Sequence, residues 1–314
     1  MKLKKEYLIL SAVIVALSVY LFERNADRTH YTLPKLPALT ADDITKIQLT
    51  RDKETVVLVR KDGRWVIDPQ GWPVDPQTAG DILEAVTGLN LTALVSESKS
   101  YAIYELDDEH KANVQAWQGD RLVRDFDVGK AAPSFRHTFV RLSGDDRVFH
   151  AQENISFRFR TSVDDLRDKT VLAFKPEDIT EIALTHARAT TTLTRKQAEA
   201  PAAGQPAPAP TWTSADGRTA DPGAVRSLLS MLSSLHCDKF LTDRDKASFS
   251  APELTVALKG DKDYSLTIFA PLSADSKDRP AVSSGSDYPF TLAEHQVSEL
   301  MTGEGYFKSE EKKQ

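Results

Sequence analysis

The sequence is poor in cysteine and has no excess of positive charge. Its 314 residues include one cysteine, Cys237, and 46 acidic residues outnumber 40 basic residues, which leaves a formal charge of −6. A single thiol cannot form an internal disulfide and cannot build a zinc site from paired cysteines. Because nucleic-acid binding depends mainly on contacts to phosphates, we expect no nucleic-acid partner.

Motifs of catalysis and cofactor binding are also missing. The seven histidines form no HExxH or His-x-His pattern, and the chain has no GxSxG, phosphate-binding loop or dinucleotide-binding glycine pattern. His236 and Cys237 are neighbours at the end of a predicted helix, where a nucleophile and its base would not face one another. The acidic clusters lack the spacing of a calcium loop. We therefore predict a protein that is not an enzyme and has no catalytic residue, cofactor or metal.

The N-terminus combines basic residues with an apolar run. Lys2, Lys4 and Lys5 precede residues 7–22, which carry no charge. As a helix these residues would be ~24 Å long, slightly less than a hydrocarbon core of ~30 Å. Snorkelling lysines and interfacial tyrosines can make up the difference. We therefore predict a transmembrane signal-anchor over 7–22, in a single-pass protein of the bacterial inner membrane with a cytoplasmic N-terminus and a periplasmic body.

Two other interpretations of residues 7–22 remain open. A cleaved signal peptide has the same basic start and apolar middle, and Ala16 and Ser18 form a small-x-small site. The apolar run continues past that site, which favours an uncleaved anchor. A buried helix of a globular fold is the second alternative. Around the anchor we expect a basic cytoplasmic start (1–6), a polar stalk (23–40) and a polar C-terminal tail (309–314).

The body contains an internal duplication. Residues 176–185, PEDITEIALT, match residues 41–50, ADDITKIQLT, at six of ten positions. Further pairs follow in order along the chain, among them Trp65 with Trp212, Asp75-Pro76 with Asp221-Pro222, and Phe149 with Phe290. An ordered series of matches indicates two copies of one module. We place the first module at 41–172 and the second at 173–308.

The two copies differ in one connection. In the first, Asp62 and Gly63 separate two apolar runs, which is a tight hairpin signal. In the second, a Pro/Ala-rich insert occupies residues 197–211. This composition neither pairs as a strand nor packs as core, so it predicts a long hairpin connection.

Alternating apolar and polar residues predict strands at 44–50 and 179–185. Asp75 and Pro76 are typical of a helix start, and so are their counterparts in the second copy. Many strands with few helices indicate an α+β fold of mainly antiparallel sheet. The predicted fold is two tandem repeated modules of this kind with one main helix each, preceded by a single N-terminal transmembrane helix.

Arginine alternates with aromatic residues in two stretches, FRHTFVR at 135–141 and FRFR at 157–160. Arginine and aromatic residues are enriched at interface hot spots. The same pattern also arises on ordinary strands with arginine on the solvent face. As a candidate partner surface we select Arg136, His137, Arg141, Arg158, Arg160 and Trp72.

The chain resembles domain-of-unknown-function family 4340. The resemblance rests on the basic start with its apolar run, the ITKIQL/ITEIAL pair, the GRWVI strand, WPVDP before the helix, and DLRDKTVLAF at residues 165–174. It implies a bacterial membrane-anchored periplasmic protein, often encoded beside ABC transporter subunits of the gliding-motility type. The resemblance implies no catalytic residues.

These observations support three hypotheses. The first is a non-enzymatic accessory or scaffolding protein, anchored in the inner membrane through residues 7–22, whose partners are subunits of an ABC-transporter-like complex. The second is a periplasmic binder of a glycan or lipid at the junction of the two modules. The third is a hydrolase whose residues assemble only in space. The sequence does not specify a ligand.

Overall fold

The chain folds as two compact units. The computed structural model describes residues 5–24, 31–187, 189–196, 210–273 and 276–301. Unit 1 comprises Met1–Leu166 and unit 2 comprises Arg167–Gln314. The division lies between Leu166 and Arg167, a few residues before the module boundary that the repeat predicts at 172/173. Of the Pro/Ala-rich insert, residues 197–209 lie outside the described residues, as does the predicted tail at 309–314.

The N-terminal prediction requires a correction. Helix α1 spans Lys5–Arg24. Among the residues that the structure describes, no helix is long and apolar enough for a membrane crossing. The predicted transmembrane anchor over 7–22 is therefore wrong, together with the fold class that included it and the single-pass inner-membrane localisation. The uncharged run is shorter than the ~20 residues that a span requires, and Glu6 and Glu23 flank it.

Unit 1 is built on one antiparallel sheet. After α1 its elements are β1 Lys46–Arg51, β2 Glu54–Lys61, β3 Arg64–Asp68, β4 Trp72–Pro73, α2 Pro76–Thr87, β5 Leu91–Ser96, β6 Ala112–Gln118, β7 Arg121–Ala131, β8 Thr138–Leu142, β9 Val148–Ala151 and α3 Val163–Leu166. Short 3-10 turns lie at Ala41–Asp43, Tyr101–Tyr104 and Ser156–Phe159. The nine strands follow the order β4-β3-β2-β1-β6-β7-β8-β9-β5.

Unit 2 has a sheet of its own. Its elements are β10 Thr170–Ala173, β11 Glu181–His186, β12 Ala189–Lys196, β13 Thr211–Ser214, α4 Pro222–Leu232, β14 Ser234–His236, β15 Lys239–Phe240, β16 Pro252–Lys259, β17 Asp263–Phe269, β18 Arg279–Ser283, β19 Phe290–Leu292 and α5 Glu294–Met301. Eight strands follow the order β13-β12-β11-β16-β17-β18-β19-β15, and β10 pairs separately with β14. Apart from β4, the sheet of unit 1 has the same order, strand for strand.

The local signals of the sequence explain why these elements form. Strands β1 and β11 alternate between buried and partly exposed residues, because one face of each packs on a core. The Asp75 side chain accepts a hydrogen bond from the Thr78 amide at 2.7 Å, and Asp221 accepts one from the Gly223 amide at 2.8 Å. Each helix thus begins with a capping aspartate followed by proline, as predicted.

Each unit has its own apolar core, formed where the main helix covers one face of the sheet. In unit 1 the core includes Ile82 and Val86 of α2 and Phe126 of β7, all buried. In unit 2 the corresponding cluster includes Leu228 and Leu232 of α4. Phe149 and Phe290 are both fully buried, opposite Val140 and Ala281 respectively. The duplicated pattern therefore corresponds to two cores of one design.

The hairpin β2–β3 suggests a change to unit 2. Asp62 and Gly63 have φ angles of 50° and 78°, as a type I′ turn requires, and Lys61 opposite Arg64 closes the ladder. In unit 2 the closing pair is Lys196 opposite Thr211. Replacing residues 197–210 by Asp-Gly should raise the free energy of unfolding by about 1–2 kcal/mol, because a shorter connection costs less closure entropy. Urea denaturation of the full chain measures this change in the free energy of unfolding.

The matched control for this hairpin carries Ala-Ala in place of Asp-Gly. Alanine is sterically disfavoured at positive φ, so this variant should lose most of the expected increase in the free energy of unfolding. Equal stability of the two shortened variants would show that the turn geometry of unit 1 does not transfer to unit 2.

Candidate functional site

A large cavity lies within unit 1. It has a volume of about 880 Å³, which falls in the range of ~300–1,000 Å³ typical of ligand sites. One wall is the extended segment of residues 31–40, which we call the N-terminal strap. The other wall is the end of α2 and the start of β5, residues 87–92, and Arg124 of β7 completes the lining. We call this cavity the unit 1 cleft.

The N-terminal strap lies in the region predicted as a polar stalk, but it packs on unit 1. Leu33, Leu36 and Leu39 contact the core as partly buried side chains. Their spacing of three is the period of a polyproline II helix, which suits a segment containing Pro34 and Pro37. Proline has no backbone N–H, so the strap cannot form a complete strand ladder with residues 88–90. It contacts unit 1 through these leucines and through carbonyl oxygens of Pro37 and Thr32, which accept hydrogen bonds from Arg124 and Arg147.

Arg124 is the chemically distinctive residue of the cleft. Its side chain is 4% exposed, and its Nη2 donates a hydrogen bond to the Pro37 carbonyl oxygen at 2.9 Å. Its Nε is buried and has no hydrogen-bond partner in the described residues. Burial lowers the pKa of the Arg124 guanidinium, and no carboxylate of the described residues lies close enough to raise it. The guanidinium stays charged at neutral pH, so the cleft contains a buried cation without a counter-ion.

Unit 2 has an aromatic pair at the equivalent positions. Strand register pairs Ala116 with Arg124 in unit 1 and Leu258 with Tyr264 in unit 2, so Tyr264 takes the position of Arg124. The Tyr264 ring packs against Phe174 with centroids 5.2 Å apart. Phe174 is the counterpart of Leu39 in the aligned copies. Two aromatic rings thus occupy in unit 2 the position that an arginine and a leucine occupy in unit 1.

The backbone differs at the same place. In unit 2, β10 pairs with β14, with Leu172 opposite Leu235. The Cys237 amide also donates to the Lys169 carbonyl at 2.9 Å. At the repeat spacing, Pro34 and Pro37 replace Lys169 and Leu172. In the described residues of unit 1 no ladder joins the strap to residues 88–90, and the cleft lies between them.

Sequence reasoning did not find Arg124. The available signal was the period of two on β7, which places Arg124 on one face with Phe126 and Val128, both fully buried. An arginine in register with core residues indicates a buried guanidinium. Arg124 also lies outside both arginine-aromatic stretches that defined the predicted partner surface.

Three of the predicted surface arginines have acidic partners. Arg141 donates from Nε to Oδ2 of Asp127 at 3.1 Å, and its guanidinium lies 4.3 Å from the centroid of the Tyr101 ring. Arg158 lies 3.0 Å from Glu84 and also donates to the Asp81 carbonyl. Arg160 lies 2.7 Å from Glu105. These contacts pair each of the three guanidinium groups with a carboxylate of unit 1, although the Nε atoms of Arg158 and Arg160 have no hydrogen-bond partner in the described residues.

The other three predicted residues lie in different environments. Arg136 is exposed, next to Phe135, which is 77% exposed at the turn between β7 and β8. The His137 ring stacks on His150 with centroids 5.3 Å apart, and its Nδ1 lies 3.1 Å from the Ala151 carbonyl oxygen. Trp72 is partly buried and packs on the unit 1 core. Of the six, Arg136 is the residue most available to a partner.

His236 and Cys237, the neighbouring pair noted in the sequence, lie in different environments. Cys237 is buried, whereas the neighbouring His236 is exposed, with its Nδ1 2.8 Å from the Ser234 carbonyl oxygen and its Nε2 3.3 Å from Thr170. Within the described ranges, no group of three or more His, Cys, Asp or Glu side chains is placed to hold a metal ion. In the unit 1 cleft, the buried Arg124 is a cation of the kind that pairs with an anionic group.

Comparison with known proteins identifies one family. The family model described as "Domain of unknown function (DUF4340)" matches residues 65–252, which is more than half of the chain. The matched segment includes α2, β5 and Arg124, and it extends into β16 of unit 2. No curated protein and no solved structure matches the chain.

Proposed function

The chain belongs to the DUF4340 family, and on that premise we propose that it is a non-enzymatic accessory protein of an ABC-transporter-like complex. In this role it binds a transporter subunit through unit 1 and scaffolds the complex. The transporter partner comes from the resemblance described above. The observation that carries the binding role is the cleft of unit 1 with its buried Arg124, which has no counter-ion in the described residues, whereas unit 2 has the contacting rings of Tyr264 and Phe174 at the equivalent positions.

The difference between the copies supports binding over a purely structural role. A buried charge without a partner destabilises a fold, and replacing such groups by apolar residues is often neutral or stabilising. Unit 2 shows that this fold accommodates Tyr264 at the same position. A residue that destabilises the fold, at a position where a less polar residue would also fit, is characteristic of a binding site. Arg124 therefore fits a recognition residue better than a residue that supports the sheet.

Photo-crosslinking in cells tests this function. A benzophenone amino acid at Thr92, an exposed residue of the cleft, should crosslink to a subunit of an ABC transporter, identified by mass spectrometry. The matched control carries the same group at Asp238, the exposed counterpart of Thr92 in unit 2. The expected result is a transporter adduct from Thr92 and not from Asp238. Adducts of other proteins alone, or the same adducts from both sites, would contradict the proposal.

A small-ligand binder is the second candidate. The cleft volume of about 880 Å³ also suits a glycan or another polar small molecule. This site lies inside unit 1, whereas the sequence hypothesis placed a glycan or lipid site at the junction of the modules, and that placement stays a prediction. A small ligand at one hundred times its Kd would stabilise the chain by about 2.7 kcal/mol, which thermal unfolding detects.

A further inference from the structure

The duplicated unit indicates what fits the unit 1 cleft. In unit 2, residues 170–173 form the strand β10, which hydrogen-bonds to β14 directly after α4. The counterpart of β14 in unit 1 is residues 88–90, at the same position after α2. Since the two sheets share one strand order, an extended chain is the shape that this fold places beside residues 88–90. The strap does not supply that strand, because Pro37, at the position of Leu172 in β10, has no backbone N–H to donate.

The edge of the sheet is open to such a strand. β5 is the last strand of the unit 1 sheet and pairs only with β9 in the described residues. An edge strand presents backbone N–H and C=O groups that can hydrogen-bond to an added chain. Recognition by strand addition takes its affinity from these main-chain bonds and its specificity from pockets for alternate side chains. Residues 88–92 line the cleft, so an added chain would lie inside it.

The charge of the cleft lining indicates which side chains the added strand should carry. The cleft residues include two cations, Lys35 and Arg124, and no acidic residue, although the whole chain has 46 acids. Arg124 has a free Nε as well as the Nη2 that holds Pro37. A carboxylate beside Arg124 would pair the buried charge. Charged hydrogen bonds of this kind give both affinity and register.

We propose that the unit 1 cleft takes an extended acidic segment of the partner protein, which places a side-chain carboxylate against Arg124. The segment adds along residues 88–92 through the main-chain groups that remain after the Gly88 N–H bonds to Glu84 and the Asn90 carbonyl accepts from Gln152. This inference rests on the proposed function, since it requires the partner to be a protein. It defines the partner's segment as a strand with Asp or Glu among β-forming residues.

Peptide selection on the full chain tests the inference. Random peptides of about nine residues, acetylated and amidated so that carboxylates come from side chains alone, are selected for binding. The selected peptides should contain Asp or Glu and should bind Arg124→Gln at least tenfold more weakly than the native chain. Arg121→Gln is the matched control, because Arg121 is an exposed arginine on the same strand, and it should bind as the native chain does. Thermal unfolding verifies that each variant is folded.

The backbone contacts have a separate test that leaves the protein unchanged. Methylating alternate peptide nitrogens removes donors, and one of the two alternating sets should weaken binding at least tenfold. The proposal is overturned if no peptide is selected, if acidic residues are not enriched, if Arg124→Gln binds equally, or if neither methylation has an effect. Displacement by acetate or inorganic phosphate at the peptide's own Kd would show a small-anion site instead.

The two proposals fail separately. If Thr92 forms the transporter adduct equally well in the Arg124→Gln variant, the proposed accessory function stands and the proposal of an acidic segment is overturned. If acidic peptides bind through Arg124 but Thr92 forms no transporter adduct, the proposal for the cleft stands and the proposed transporter partner is overturned.

Discussion

Replacing Phe149 by alanine is expected to lower the free energy of unfolding of unit 1 by about 3–5 kcal/mol, the usual range for a fully buried phenylalanine. Phe149 is 0% exposed and lies opposite Val140 in the β8–β9 pair. The loss combines the transfer free energy of the ring with the cavity that it leaves, because a close-packed core relaxes only in part. An effect of this size is a large fraction of the stability of a domain.

Phe290→Ala should have the same effect on unit 2. Phe290 is 0% exposed and lies opposite Ala281 on β18, the counterpart of β8. Native-state hydrogen exchange with mass spectrometry separates the two cases, since peptides from residues 41–166 report on unit 1 and peptides from 167–301 report on unit 2. Each substitution should reduce the highest protection within its own unit and leave the other unit close to its native value.

The control is a phenylalanine outside the core. Phe157 is 63% exposed, so Phe157→Ala should change the stability of unit 1 by less than about 0.5 kcal/mol. Equal loss of protection in both units after Phe149→Ala would contradict two separate cores and would show that the chain unfolds as one cooperative block.

Part of this fold was predictable because local and tertiary signals agree. Asp75 caps α2 and Asp221 caps α4, and each is followed by proline in the first turn. The positive φ angles of Asp62 and Gly63 follow from the Asp-Gly pair that the turn requires. The repeat was readable because Trp65, Phe149 and their counterparts are core residues, where few other side chains fit.

The N-terminal region shows where such signals mislead. The apolar run at 7–22 predicted a transmembrane helix, yet no helix of the described residues has the length and apolarity for a crossing. The polar composition of residues 31–40 predicted a stalk, but three leucines at a spacing of three attach that segment to the core. Average composition conceals such a stripe, whereas a period of three reveals it.

The candidate site was the least predictable part, because it depends on a comparison of coordinates. In sequence, Arg124 is one arginine of the QGDRLVRDF stretch. Arg124 is buried because it lies on the core face of β7 with Phe126. Whether a carboxylate lies beside it depends on residues that are distant in sequence, so the sequence alone does not show that a counter-ion is absent. The contrast with Tyr264 requires the strand registers of both units, since the aligned copies change offset at the β6–β7 hairpin.

Converting the unit 1 cleft to the filled arrangement of unit 2 is the second large effect that we expect. The double substitution Arg124→Tyr with Leu39→Phe gives unit 1 the ring pair of Tyr264 and Phe174. Asp120 stands at the turn position of Asp261, which accepts a hydrogen bond from the Tyr264 hydroxyl at 3.1 Å. Removing an unpaired buried charge and adding an aromatic contact should raise the free energy of unfolding by about 1–3 kcal/mol.

The same variant should lose the binding of acidic peptides. Urea denaturation measures the gain in stability, and fluorescence anisotropy measures the loss of peptide affinity, which should be at least tenfold. Arg124→Met separates charge from packing, because methionine removes the guanidinium without adding a ring. If the variant is more stable and no longer binds, Arg124 is a recognition residue. Removing a residue that supports the fold would instead lower the free energy of unfolding. Destabilisation by both substitutions would instead make Arg124 a structural residue of unit 1.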